Sequence, residues 1–153
     1  MTESVQQVAS LNSRYAAVID SNRLEQWPDF FVEQCLYKIT SADNVRDGHV
    51  AGIVYADSRA MLADRVLALR KSNIYERQSY RHITAMPVIL EETGSEIRSE
   101  TPFVVIRTIR DGPMDLFAAG VYQDRIDRET LRFRERIVVC DSSRFDTLVA
   151  LPL

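Results

Sequence analysis

The sequence predicts an α+β fold in which helices pack on one face of a curved, mainly antiparallel sheet. Three observations predict it. Helical periodicity is confined to the first half of the chain, period-two alternation fills the second half, and turn chemistry separates the alternating segments at hairpin spacing. Helices first and long strands afterwards give an α+β order rather than an alternating α/β one. The 153 residues are expected to form one domain, 1–153, long enough to bury roughly 70% of the surface that the unfolded chain exposes.

In the first twenty residues Val8, Leu11, Tyr15, Val18 and Ile19 fall on one helical face, and Ser4 with Gln7 has the spacing of a capping box. A short second helix follows, with Asn22 as cap, Glu25 three residues on, and Pro28 closing it after Leu24 and Trp27. A strand is expected at 30–40. The third helix spans 57–71, opened by Asp57 or Ser58, with Leu62, Val66 and Leu69 at i, i+4 and i+7. Strands then occupy 86–92, 97–110, 116–127 and 131–141, separated by Thr93-Gly94-Ser95, Asp111-Gly112-Pro113 and the turn 127–130. In the last strand Leu131, Phe133, Ile137 and Val139 share one face while Arg132, Arg134 and Arg136 share the other, the alternation of a sheet with one wet side. Val104, Ile106, Phe117, Val121, Val138 and Cys140 fall opposite or beside the core-facing set. Apolar surface is therefore left over for a partner or a pocket.

Hydrophobic residues at 46% and charged residues at 27% are ordinary globular values, and a net charge of -3 argues against a nucleic-acid partner. The polar stretch 1–10 offers neither a signal h-region nor a membrane span, so a cytoplasmic location away from membranes is expected. In that compartment Cys35 and Cys140 are reduced, buried small hydrophobes.

Residues that carry chemistry are sparse. His49 and His82 are the two histidines and Cys35 and Cys140 the two cysteines, none of them paired at metal-ligand spacing, and no glycine-rich phosphate loop or G-x-S-x-G motif is present. His82 reads as a hydrogen-bonded structural histidine near an interface, with a pocket acid/base as the competing reading. Asp20 reads as a cap for the second helix, Trp27 as a core anchor, and the arginines at 132, 134 and 136 as a solvated face or intersubunit salt links. Asp64-Arg65 reads as part of a helix-surface ion-pair network.

Several runs carry a resemblance. Residues 20–31 from Asp20-Ser21-Asn22-Arg23 to Trp27-Pro28-Asp29-Phe30-Phe31, the Asp64-Arg65 pair, Tyr80-Arg81-His82-Ile83, Phe117-Ala118-Ala119-Gly120-Val121-Tyr122, and Arg136 with Asp141-Ser142 resemble the small (beta) subunits of aromatic-ring-hydroxylating dioxygenases. Gly52-Ile53-Val54-Tyr55-Ala56-Asp57-Ser58, Asn73-Ile74-Tyr75-Glu76-Arg77 and Ala150-Leu151-Pro152-Leu153 are most similar to the terephthalate branch of that family, while Met86 departs from the family pattern.

The resemblance implies a cone-shaped, nuclear-transport-factor-2-like (cystatin-like) fold with a strongly curved sheet. It also implies a catalytic alpha subunit as partner in an α3β3 hexamer. That alpha subunit is expected to hold a [2Fe-2S] Rieske cluster and a mononuclear Fe(II), fed with electrons from NADH through a separate reductase that docks on alpha. No cofactor or catalytic residue is expected here: a Rieske centre needs two cysteines and two histidines converging, and Cys35 and Cys140 are more than a hundred positions apart. The chain is thus expected to be a structural subunit that stabilises and trimerises alpha, with Arg81, His82, Leu151 and Leu153 as interface candidates. The competing expectation is a free-standing dehydratase, isomerase or cyclase using Asp20, Tyr37 and His82 around a pocket in the cone.

Overall fold

Thr2 opens the first helix, α1 (Glu3–Asp20). Its hydroxyl accepts from the Val5 N–H at 3.3 Å, whereas Ser4, the expected cap, is buried in the first turn. The computed structural model describes residues 2–48, 54–71, 78–109, 112–142 and 151–153. His49, Arg110, Asp111 and parts of the motif runs at 52–53, 73–77 and 150 lie outside the described residues.

The second helix is a 3-10 turn, Leu24–Phe30, with Pro28 inside it rather than behind it, and no side chain caps its start. Asn22 sits instead in the left-handed region at φ 62, which asparagine tolerates better than most residues. Arg70 stabilises that turn from outside by donating to the Asn22 carbonyl at 2.7 Å and to Glu25. Strand β1 (Phe31–Ser41) follows, then a short helix α2 (Ala42–Arg46) that patterning does not predict, capped by the Ser41 hydroxyl. After β2 (Val54–Ala56), helix α3 (Arg59–Lys71) is opened by Ser58, whose hydroxyl accepts from Met61 N–H. The remaining strands are β3 (Gln78–Thr84), β4 (Val88–Glu92), β5 (Glu96–Ile109), β6 (Met114–Asp127) and β7 (Arg132–Cys140).

The sheet runs β2-β1-β7-β6-β5-β3, with β4 sharing the outer edge of β5. It is mixed: β1 lies parallel to β7 and every other pairing is antiparallel. The β3 and β4 pairings on β5 meet at Pro102, which has no N–H to give a ladder.

Two bulges set which side chains face the helices. Between β6 and β7, Arg125 pairs with Glu135 and Ile126 with Phe133, so Arg134 is the extra residue. An extra residue reverses the alternation beyond it and bends the strand. Phe133 faces the core before the bulge and Arg136, Val138 and Cys140 face it afterwards, all of them buried. The expected wet arginine face is thereby corrected: Arg132 is exposed and Arg134 half-buried, but Arg136 is fully buried. A second bulge at Phe117, between the Val105–Ala118 and Ile106–Leu116 pairs, lets that ring stack on Tyr80 at 5.2 Å. Of the six apolar residues expected beyond the core, Val138 and Cys140 belong to it, while Val104, Ile106 and Val121 lie half-buried on the outer face.

Candidate functional site

Asp20, the last residue of α1, faces β3 rather than the turn it was expected to cap. Its carboxylate accepts from the His82 backbone N–H at 2.8 Å, and its other oxygen lies 2.7 Å from His82 Nδ1, the separation of an N–H donating to a carboxylate. Both side chains are almost wholly buried, and His82 Nε2 has no hydrogen-bond partner among the described residues. The neighbouring interface candidate, Arg81, points to the other side of the sheet and is exposed. Alternation in β3 thus separates the Arg81–His82 pair, one residue for each face.

Tyr37, the third member of the expected pocket, is engaged elsewhere. Its hydroxyl donates to the main-chain oxygen of Leu153 at 3.0 Å and accepts from the Leu153 N–H at 3.1 Å. Tyr15 donates to the same oxygen at 2.7 Å and accepts from Trp27 Nε1 at 3.1 Å. Leu151 and Leu153, expected at an intersubunit contact, are therefore part of this chain's own core, and Leu153 is 0% exposed. Burial pushes both phenols above their ordinary pKa, Tyr37 well above it, so both stay protonated donors. Trp27, Phe31 and Tyr37 meet edge to face at centroid distances of 5.2–5.9 Å and fill the interior beside Leu153. Asp20 and His82 are brought together; Tyr37 faces Leu153 instead.

A second buried polar cluster surrounds Arg136. Its guanidinium donates to both Asp124 oxygens, at 3.0 and 3.1 Å, and to Asn12 Oδ1 at 2.6 Å, while Asn12 donates to Thr101. Three rings enclose it, with the guanidinium carbon 3.6 Å from the Tyr122 centroid, 4.2 Å from Phe133 and 4.4 Å from Tyr15. Burial raises the Asp124 carboxyl above its usual value against the opposing pull of Arg136. Burial also works to lower Arg136, but Asp124 and the two tyrosines outweigh it and hold the guanidinium charged. Patterning missed Asn12, Thr101 and Asp124 in this role. A signal was present in Asp124, an acid at an inward position between Tyr122 and Ile126.

The outer sheet face carries the apolar excess. Across the strands Ile83 pairs with Val104 and Val104 with Ala119, while Arg81 pairs with Ile106 and Ile106 with Leu116. Ile83, Leu116 and Met114 are more than half exposed, Met114 at 74%. Rows of this kind, rimmed by polar groups, mark contact surfaces.

Residues 1–137 match the SnoaL-like domain family. Over 150 residues the chain is 49% identical to beta subunit 1 of the terminal oxygenase component of terephthalate 1,2-dioxygenase from Comamonas sp, covering 96% of this chain and 97% of that one. It is 38% identical to the small subunit of anthranilate 1,2-dioxygenase from Burkholderia cepacia over 96% of this chain and 92% of the relative. The chain belongs to the beta subunits of aromatic-ring-hydroxylating dioxygenases. A solved beta subunit from Novosphingobium aromaticivorans, assigned to such a dioxygenase, superposes with a TM-score of 0.90 at 38% identity over 98% of this chain and 97% of that one.

Against that family frame, the geometry of this beta subunit has a consistent character. Among the described residues no group of three or more His, Cys, Asp and Glu side chains is placed to hold a metal ion, and no helix is long and apolar enough to cross a membrane. Cys35 and Cys140 are free, buried thiols, and burial pushes Cys140 up to about 12. An open cleft of about 430 Å³ lies between α1, the 3-10 turn and the β6–β7 turn, lined by Arg14, Asp29, Phe30 and Arg132 among others. Neither Asp20, Tyr37 nor His82 lines it.

Proposed function

We propose that this chain is the structural beta subunit of a terephthalate 1,2-dioxygenase, an oxidoreductase that cis-dihydroxylates an aromatic ring. The observation that carries the reading is 49% identity to terephthalate dioxygenase beta subunits across nearly the full length of both chains. In this reading it acts in the cytoplasm as one domain, stabilising and trimerising a catalytic alpha subunit in an α3β3 hexamer. The alpha subunit supplies the [2Fe-2S] Rieske cluster and the mononuclear Fe(II), and a separate reductase delivers electrons from NADH to it. The outer face of the sheet, with Arg81, Ile83, Ile106 and Leu116, is the surface through which this chain reaches alpha. An apolar row exposed in the lone chain supports that assignment, since water-exposed aliphatic surface is costly to leave uncovered.

One observation favours a free-standing enzyme: the Asp20–His82 pair, whose Nε2 has no partner among the described residues, resembles an oriented general base. Against it stands Tyr37, whose hydroxyl is taken up by Leu153 and cannot also polarise a carbonyl substrate. The test is light-scattering mass, iron content and oxygen uptake on terephthalate, for this chain alone and co-expressed with its large partner. A chain that is inactive alone and accompanies full activity in a large complex supports the proposal. A chain that ignores the partner and turns over a carbonyl compound by itself overturns it.

A further inference from the structure

Three charged side chains, Arg14, Asp29 and Arg132, line the open cleft between α1, the 3-10 turn and the β6–β7 turn. Among the described residues none of the three makes a hydrogen bond or an ion pair, with one another or with any other group. The neighbouring hairpin end behaves differently, since Arg125 and Arg134 pair with Glu96 and Arg128 pairs with Glu92. Local structure explains why each cleft charge is left over. On α1 the positions three and four residues from Arg14 are Ser10, Leu11, Ala17 and Val18, which offer no acid. Arg132 stands directly across the hairpin from Asp127, whose carboxylate is taken by Thr130 and Arg134. Arg70, the base that clamps the 3-10 turn, binds Glu25 rather than Asp29.

The rest of the cleft wall is apolar. Leu11 is buried, and Phe30 and Leu131 are half-buried against the core. Leu131 holds φ 54, a left-handed conformation costly for a branched side chain, and in it the β6–β7 turn puts Leu131 and Arg132 together on the wall. A volume of about 430 Å³ is that of a small-molecule site.

We infer that this cleft binds a free carboxylic acid that carries a hydrogen-bond donor and an apolar body, an N-acylated apolar amino acid being the simplest member of the class. The carboxylate meets the two guanidinium groups, whose forked donors match its geometry. The N–H meets Asp29, and the apolar body covers Leu11, Phe30 and Leu131. The inference stands independently of the assignment to a dioxygenase complex.

Calorimetric titration of the full chain with N-acetyl-L-phenylalanine tests it. The carboxamide of the probe removes the charge, 3-phenylpropanoate removes the N–H, and acetate removes the apolar body. The acid is expected to bind one to one with half-saturation at about a millimolar or below, the affinity of a ligand of about fifteen heavy atoms at modest efficiency, and the amide and acetate to bind about tenfold more weakly or worse. Arg14→Gln and Arg132→Gln are each expected to raise the half-saturating concentration about tenfold, the loss of a charge-assisted hydrogen bond. Both side chains are exposed, so the melting temperature should stay within about 2 °C of the parent. Arg46→Gln, the same charge change on α2 and outside the cleft lining, is expected to leave the affinity unchanged.

Asp29→Ala separates a built site from a positive patch. Removing an acid strengthens a patch for every anion, whereas here it weakens the acetylated amino acid severalfold and tightens 3-phenylpropanoate. No saturable binding, an amide that binds as well as the acid, equal weakening by Arg46→Gln, or tighter binding of both acids after Asp29→Ala would overturn the inference. Tenfold tighter binding of N-acetyl-Ala-Ala-Phe would do so too, by making a peptide end rather than a free acid the ligand.

Discussion

Arg136 occupies a position where an aliphatic residue would be ordinary, and the groups packed around it compensate its charge. The carboxylate of Asp124 answers the charge, Asn12 takes a further N–H, and the ring faces of Tyr122, Phe133 and Tyr15 cover the guanidinium, whose Nη1 has no hydrogen-bond partner among the described residues. Removing one partner strands the other. Arg136→Leu is expected to cost about 3–5 kcal/mol by leaving the Asp124 charge buried and alone, whereas Arg136→Leu with Asp124→Leu should cost clearly less than the single change. Urea unfolding of the two variants checks this; a single change costing under about 1 kcal/mol would show that the pair does not hold the core. The Asp20–His82 contact follows the same logic in a smaller form. Asp20→Ala leaves the Nδ1 and the backbone N–H of His82 buried without an acceptor, so a loss of about 2–3 kcal/mol is expected, seen as a lowered urea midpoint. Neither partner choice was legible beforehand. Sequence spacing carries no information about which residue 62 positions away will meet a carboxylate, and Asp20 had a local alternative, capping, that its position made plausible.

Strand pairing decided more than strand propensity did. The β4–β5 and β6–β7 hairpins were readable from alternation and from the Thr93-Gly94-Ser95 and 127–130 turns, and the helix faces of Val8, Leu11, Tyr15 and Ile19 and of Leu62 and Val66 lie in the core as spacing required. What alternation could not show was the single extra residue at Arg134, because a bulge leaves both flanking segments alternating correctly while exchanging their faces. Strand β3 had no range legible in the sequence, only a strand start at Arg81-His82, because its inward residues are Tyr80 and His82, not aliphatics. The β6–β7 pairing also fixes Gly120, where a methyl group would run into the Val139 carbonyl oxygen of the neighbouring strand. Gly120→Ala is expected to abolish soluble folded protein, or to lower the melting temperature by about 8 °C or more, in a thermal scan. The other end of the hairpin is held by charge. Arg125 hydrogen-bonds Glu96, and Thr130 with Arg134 hydrogen-bonds Asp127, and these contacts hold both carboxyls below the usual range. A carboxyl depressed in the folded state adds stability that is present above its unfolded pKa, about 4, and lost as pH falls through the folded value. The arginines are partly washed by solvent, so the effect is modest. The urea midpoint is expected to fall between about pH 5 and pH 3, and to fall less steeply in Glu96→Gln with Asp127→Asn. Parallel slopes for parent and variant would remove these carboxyls as the source.

At the scale of the whole molecule, the two faces of the sheet have opposite fates. The inner face is covered by helices, by aromatic rings and by the segment Leu151–Leu153. The outer face keeps an aliphatic row, Ile83 and Val104 on one line and Ile106 and Leu116 on the next, with Arg81 at its edge. Apolar groups exposed on helix α3, Met61 and Leu67, lie on the opposite side of the molecule's sheet layer and make a matched control. If the row is where this beta subunit meets its large partner, central aliphatic residues carry most of the association energy, each worth about 2 kcal/mol or roughly a 30-fold change in affinity. Leu116→Glu with Ile83→Lys is therefore expected to lower the light-scattering mass of the co-expressed complex while leaving the melting temperature of the isolated chain within about 2 °C of the parent, since both side chains are already in water there. Met61→Glu with Leu67→Lys should leave the mass unchanged. The outcome that would move the contact surface elsewhere is the reverse pattern, an intact complex with the sheet-face changes and a dissociated one with the helix changes, because charge placed on an unused face has nothing to repel.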